Sequence, residues 1–127
     1  MFVSDTQSLI WHLTEDSKLG KNALKVFEDA DSGKEIIIIP TIVLAELLHI
    51  CEKKKINFRF DYVLEKLKDS SNYVVYNLDF QVILKIKKIK NSDLHDRIII
   101  ATALITKSKL ITKDNVIKRL DYVQTLW

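Results

Sequence analysis

The chain has 127 residues, 47% hydrophobic and 29% charged, which suits one globular domain and excludes a disordered or low-complexity polypeptide. Its 20 Lys and Arg against 17 Asp and Glu leave a net charge of +3, which permits a polyanionic partner without establishing one. The lone Cys51 excludes an internal disulfide or a Cys-based zinc site, and the longest apolar runs fall well short of the roughly 20 residues of a membrane helix.

No secretory signal is visible at the N-terminus, so a reducing cytoplasm is the expected location. Phe2 to Ser4 reads as a short strand. Leu9, Ile10 and Leu13 then fall at near-helical spacing, with Thr6 or Asp5 available as a cap. Ser17 opens a second helical pattern, in which Leu19, Ala23, Val26, Phe27 and Ala30 form a stripe that Asp31-Ser32-Gly33 ends with turn chemistry. Ile36 to Ile39 has no polar alternation and suits a strand covered on both faces. Pro40 stops the ladder, and Thr41 can cap a helix whose apolar residues are Val43, Leu44, Leu47, Leu48 and Cys51.

Glu52 to Lys55 takes the chain back to solvent, Phe60 to Lys68 reads as a helix and Tyr73 to Tyr76 as a strand. Asp79 can cap a helix with Val82, Ile83, Ile86 and Ile89 inward. The run from Asp96 to Thr106 favours a strand by propensity at Ile98-Ile99-Ile100. It is too long for one, and reads as a buried helix capped near Asp93 or Asp96. Lys109 to Thr112 is a strand, Val116 to Leu120 a short helix and Tyr122 to Leu126 a last strand. This alternation predicts a single α/β domain, a three-layer α/β/α sandwich around a central, mainly parallel sheet with right-handed crossovers.

Asp5 and Asp114 each follow a short apolar strand, where an open α/β sheet lines its ligand crevice. Glu46 and Asp96 stand near the starts of apolar helical stretches. If the four meet, a divalent cation, protonation or a basic partner must relieve their repulsion. The chain therefore reads as a metal-dependent hydrolase.

Each acid also has a plainer reading. An Asp at a helix start more often caps than ligates. Glu46 interrupts the apolar run Ile42 to Leu48, where a lone carboxylate is costly; it calls for a cation or for a buried ion pair with Arg97 or a lysine. Glu46 and His49 have the E-x-x-H spacing of half a di-iron site, but the required second copy is missing, so His49 belongs to a helix surface or core edge. His12 and Trp11 read as packing or groove-edge residues, while His95 lies close to the acids in sequence and could equally point to solvent.

Ser4-Asp5-Thr6, Ile39-Pro40-Thr41 leading to Ala45-Glu46-Leu47, Asp93-Leu94-His95-Asp96-Arg97 with the apolar run after it, and Ile111-Thr112-Lys113-Asp114 together resemble the PIN domain, in particular the VapC-type toxins of toxin–antitoxin pairs. The resemblance covers essentially the whole chain, with the motifs in order. It implies Asp5, Glu46, Asp96 and Asp114 as an acidic quartet, with Thr112 as a supporting hydroxyl and the strands bearing Asp5 and Asp114 as neighbours. Many relatives carry proline and phenylalanine between the two acids where this chain has Leu94 and His95, which leaves the role of Asp93 open: outer-shell group or cap. Thr6 joins Asp93 and Thr112 as a candidate supporting residue.

Oxygen-only donors suit Mg²⁺ or Mn²⁺. The expected ligands are Asp5 and Asp96, with Asp114 direct or through water; Glu46 positions or deprotonates the attacking water or ligates as well. The reaction the resemblance implies is endonucleolytic cleavage of RNA to a 5′-phosphate and a 3′-hydroxyl. Arg97, Lys113 and Lys54 are candidate RNA contacts, against the plainer reading of solvated lysine faces. The implied partners are a small cognate antitoxin and a second copy of the chain in a homodimer. Two other readings compete: a catalytically silent PIN-like module that binds RNA or protein, and a signalling receiver domain. The latter should carry paired acids after its first strand, where Asp5 stands alone.

Overall fold

A computed structural model describes residues 1–91 and 93–127. In chain order the elements are β1 (Phe2–Ser4), α1 (Thr6–Leu13), α2 (Lys21–Asp31), β2 (Ile37–Pro40), α3 (Thr41–Glu52), α4 (Phe60–Asp69), β3 (Tyr73–Tyr76), α5 (Phe80–Ile86), α6 (Leu94–Ile105), β4 (Lys109–Ile111), α7 (Asn115–Leu120) and β5 (Thr125–Leu126). The strands form one five-stranded sheet in the order β3-β2-β1-β4-β5, every pairing parallel, with the helices packed around it as the expected α/β/α sandwich.

This strand order fixes where a ligand site can form. From β1 the chain winds outward through β2 and β3, then returns to lay β4 on the other side of β1. The boundary between β1 and β4 is the topological switch point, where the connections leave in opposite directions and open a crevice beyond the carboxyl ends of the strands. Ser4 pairs with Ile111 there, so the residues that follow, Asp5 and Thr112, emerge side by side.

The core explains why the inner strands lack alternation. Val3, Ile37, Ile39, Leu110 and Ile111 are fully buried and Ile38 nearly so, because helices cover both faces. Ile98 to Ala103 form a helix buried along its whole central part, so length overrides the β-propensity of three consecutive isoleucines. Edge strand β3 is less covered, with Val74 and Val75 both exposed.

Several local expectations are corrected. The second helix begins at Lys21 rather than Ser17, because Asp16 Oδ1 accepts from Lys18 N at 2.9 Å and holds 17–19 in a turn. Pro40, paired with Tyr76 at the end of β2, occupies the N-cap position of α3; Thr41 is the first helical residue and its Oγ1 accepts from Leu78 N at 3.1 Å. Ile83 faces solvent, unlike the inward Val82, Ile86 and Ile89, and Leu48 is also exposed.

Candidate active site at the carboxyl ends of β1 and β4

Three acids reach this crevice by capping helices. Asp5 Oδ1 accepts from Ser8 N at 2.8 Å to start α1, and Asp114 Oδ1 accepts from Val116 N at 2.7 Å and Ile117 N at 3.2 Å to start α7. Asp93 Oδ1 accepts from Asp96 N at 3.0 Å to start α6. Capping and ligation are therefore compatible for Asp5 and Asp114. The cap uses Oδ1, leaves Oδ2 for another partner, and fixes the carboxylate plane. Helix starts also favour negative charge, which offsets part of the cost of gathering acids there.

Buried hydroxyls brace the switch point. Ser8 Oγ donates to Ile111 O at 3.2 Å and ties α1 to β4, while Thr112 Oγ1 accepts from Asp114 N at 3.1 Å. Ser4, Ser8 and Thr112 are all essentially inaccessible to solvent. The resemblance names Thr112 as a supporting hydroxyl but not Ser8, whose place three residues after Asp5 is the position that a capping Asp engages.

Glu46 arrives from the middle of α3. Thr6 Oγ1 donates to Glu46 Oε1 at 3.1 Å, and His95 Nδ1 lies 3.4 Å from Glu46 Oε2. The alternative reading of Glu46, a buried ion pair with Arg97 or a lysine, is not seen among the described residues. Arg97 turns the other way, its Nη2 donating to Ile86 O at 3.1 Å, which removes it from the crevice. Glu46 is also less buried than its apolar neighbours suggest, with 28% of its side chain exposed, because Ala45 and Leu48 face solvent beside it.

The electrostatics show that these acids sense one another. Burial raises the Asp96 carboxyl first, and the charges of Asp93, Asp114, Asp5 and Glu46 add to that, bringing it to about 6. Asp5 is raised as well, chiefly by burial and further by Asp114, although hydrogen bonds from Ser8 and Thr112 pull it back. As placed, no three acidic, histidine or cysteine side chains among the described residues lie close enough to ligate one ion directly. The donor chemistry nevertheless fits a hard cation that keeps part of its water shell, since Mg²⁺ commonly takes only one or two carboxylates directly.

Lys113 stays at the margin of the site, its ammonium 5.4 Å from the centre of the Trp11 ring. Lys54 lies past the end of α3, about 12 Å along the axis from Glu46. Lys85 and Lys88 line a separate depression with Tyr76 and Leu84. A second polar cluster, in which Asp31 accepts from Tyr73 Oη at 2.6 Å and Lys66 Nζ at 2.8 Å beside His12, joins α1, α2, α4 and β3.

The sequence matches the PIN domain model over residues 2–122. This chain belongs to the PIN domain family. The match spans both the β1 and β4 ends of the crevice, so the acids described above lie within the PIN domain itself. No curated protein matches it in sequence. Among solved structures it is similar to VapBC2 from Rickettsia felis bound to a DNA fragment from their promoter, with 16% identity, 98% of this chain and 96% of the other covered and a TM-score of 0.73. It is also similar to FitAcB from Neisseria gonorrhoeae, with 16% identity, coverage of 100% and 97% and a TM-score of 0.68. A toxin–antitoxin complex from Klebsiella pneumoniae matches with 20% identity, coverage of 90% and 87% and a TM-score of 0.62. At these identities the likeness concerns the fold.

Proposed function

We propose that this PIN domain is a Mg²⁺- or Mn²⁺-dependent endoribonuclease acting as the toxin of a toxin–antitoxin pair. The observation that carries the reading is a cluster of acids, from three helix starts and α3, in which burial first and then the charges of Asp93, Asp114, Asp5 and Glu46 raise Asp96 to about 6. Uncompensated acids are costly to gather, and helix caps made by Oδ1 of Asp5 and of Asp114 leave a second oxygen of each available to a cation. PIN domains are generally nucleases, which agrees with that chemistry.

Asp5, Asp96 and Asp114 would hold a hydrated ion, partly through its waters, with Asp5 and Asp114 using the oxygens their helix caps leave free. A bound divalent cation supplies an activated water and stabilises the charge that builds on a scissile phosphate. Glu46, its Oε1 fixed by Thr6, accepts the proton of the attacking water at the carboxylate. Asp93 serves as the cap of α6 and adds negative charge beside Asp96. Thr112 fixes the start of α7 through the Asp114 backbone. Lys113 is the best placed of the candidate RNA contacts.

The solved complexes of similar fold support a small antitoxin as partner. A homodimer is supported by the exposed stripe Phe80, Ile83 and Leu84 on α5, with exposed Leu94 on the adjoining α6. No helix among the described residues is long and apolar enough to cross a membrane, and the cytoplasm is the proposed location. The test is incubation of the protein with structured RNA in Mn²⁺ or EDTA. Cuts leaving 5′-phosphates that disappear with EDTA and in Asp5→Asn support the reading; RNA that is bound but left intact in Mn²⁺ would instead mark a silent binding module.

A further inference from the structure

We infer that His95 is a positioning residue for Glu46, a role that rests on the nuclease reading above. A glutamate has three rotatable side-chain bonds, and one hydrogen bond leaves its second oxygen free to swing. Here the two oxygens face two different helices: Thr6 at the start of α1 donates to Oε1 at 3.1 Å, and the His95 ring at the start of α6 stands with Nδ1 3.4 Å from Oε2, at charge-pair range rather than in a hydrogen bond. The ring thereby limits the swing of the second oxygen that the Thr6 hydrogen bond leaves free, and each oxygen keeps a lone pair for water.

Packing does not account for the orientation of the His95 ring. Half of its side chain is in solvent, so no enclosing core selects its rotamer, and the polar contact it makes is with Glu46. The backbone that carries it is fixed independently, because Asp93 caps the first turn of α6 through Asp96 N. A planar ring on a two-torsion stem delivers a nitrogen with less freedom than a lysine ammonium would, which is what holding an acid in one orientation requires. The plain alternative is a solvated histidine near an acid by chance, and that alternative gives no reason for Glu46 to move when the ring is removed.

The experiment pairs crystal structures with steady-state kinetics of His95→Ala and His95→Asn, the amide nitrogen of asparagine standing close to where Nδ1 stood. In His95→Ala the Glu46 carboxylate should leave its position or lose the Thr6 contact. Its kcat should fall about 10- to 100-fold, the range expected when a reacting group is misplaced, with KM for RNA unchanged. His95→Asn should restore both. An undisturbed Glu46 in His95→Ala, or a loss confined to KM, would overturn the inference and assign His95 to RNA contact or to solvent. A wild type that cuts no RNA sinks the nuclease reading, and the crystallographic comparison alone then upholds or overturns the hold of His95 on Glu46.

Discussion

Thr6 donates its hydroxyl to Glu46 Oε1 at 3.1 Å, so the first residue of α1 holds the side chain that α3 contributes to the crevice. The contact joins the helix that follows β1 to the helix that follows β2, and it sets one oxygen of an acid whose other oxygen meets His95. Replacing Thr6 by Val keeps the shape and removes the donor. Activity should fall about tenfold, the rate equivalent of the roughly 1.5 kcal/mol carried by a hydrogen bond to a charged group. Thr6→Ser should retain it. Initial rates on a fixed RNA, with thermal melting to show that the fold persists, check this.

Removing Glu46 itself should cost more. Glu46→Gln keeps an oxygen for Thr6 but cannot accept a proton at working pH, so kcat should drop by about 10² to 10⁴, the usual contribution of a positioned general base. Thermal stability should change little, since the side chain is partly exposed and its neighbours in α3 remain. Single-turnover rates under saturating Mn²⁺ measure this loss apart from product release.

Asp96 gives a pH dependence with a definite sign. Its carboxyl is raised to about 6 by burial and by Asp93, Asp114, Asp5 and Glu46, while the unfolded chain titrates near the ordinary Asp value of 3.8. Between those values the folded protein holds a proton the unfolded chain has lost, so stability declines as pH rises through this window, and the penalty is complete above it. Asp5 shifts in the same direction. The melting temperature without metal should therefore fall between about pH 4 and pH 6 and level off above, and Asp96→Asn should flatten the fall while abolishing cleavage. Mg²⁺ should raise the melting temperature at pH 7.5 and do little at pH 5, where protons compete for the same oxygens.

Much of this arrangement was legible in the sequence because it follows from chain-local rules. Short β-branched runs separated by amphipathic stretches prescribe a parallel sheet, and an acid directly after such a run stands at its carboxyl end. That puts Asp5 and Asp114 just past the ends of β1 and β4; the pairing of these strands, Ser4 with Ile111, is what the resemblance implies. The side-chain geometry was less legible, because it depends on tertiary neighbours. Arg97 follows Asp96 directly, yet α6 carries the two side chains to different partners and Arg97 meets the end of α5. Glu46 reads in the sequence as needing a cation or a buried partner because the exposure of Ala45 and Leu48 cannot be read from their apolarity. The contact between His95 and Glu46 spans α6 and α3, and no local spacing announces it.

Gly20 supplies a stability test unconnected with the acids. A Cβ at this position would stand 2.7 Å from the Trp127 carbonyl carbon and from Trp127 Cδ1. Trp127 is held there by Asn22 Nδ2, which donates to its carbonyl at 3.0 Å, and by an edge contact with Trp11 at 5.6 Å between ring centres. Gly20→Ala should destabilise by about 1–3 kcal/mol, as overpacking does, although its backbone φ of −63° suits alanine. Chemical denaturation should show this loss, with Trp127→Ala recovering only part of it in the double variant, because the Trp127 backbone carbon stays in the way.

The α5 stripe yields a prediction about assembly. Phe80 is 70% exposed and Ile83 48%, and with Leu84 they share one face of the helix. If this face joins two copies, Ile83→Lys should shift the protein to monomer in sedimentation or light scattering without lowering its melting temperature when dilute. An unchanged mass would remove the stripe from the interface.

The central claim is that Asp5, Glu46, Asp96 and Asp114 serve one divalent cation, and Mn²⁺ binding to the purified, RNA-free protein, read by electron paramagnetic resonance, tests it most directly. The account predicts saturable binding to the wild type. Affinity should weaken at least about tenfold in Asp5→Asn and Asp96→Asn, by analogy with the 10- to 100-fold losses seen even for outer-shell groups, and change least in Arg97→Gln. Wild-type protein that leaves the free Mn²⁺ signal undiminished, or Asp5→Asn and Asp96→Asn variants that bind as tightly as wild type, would contradict it.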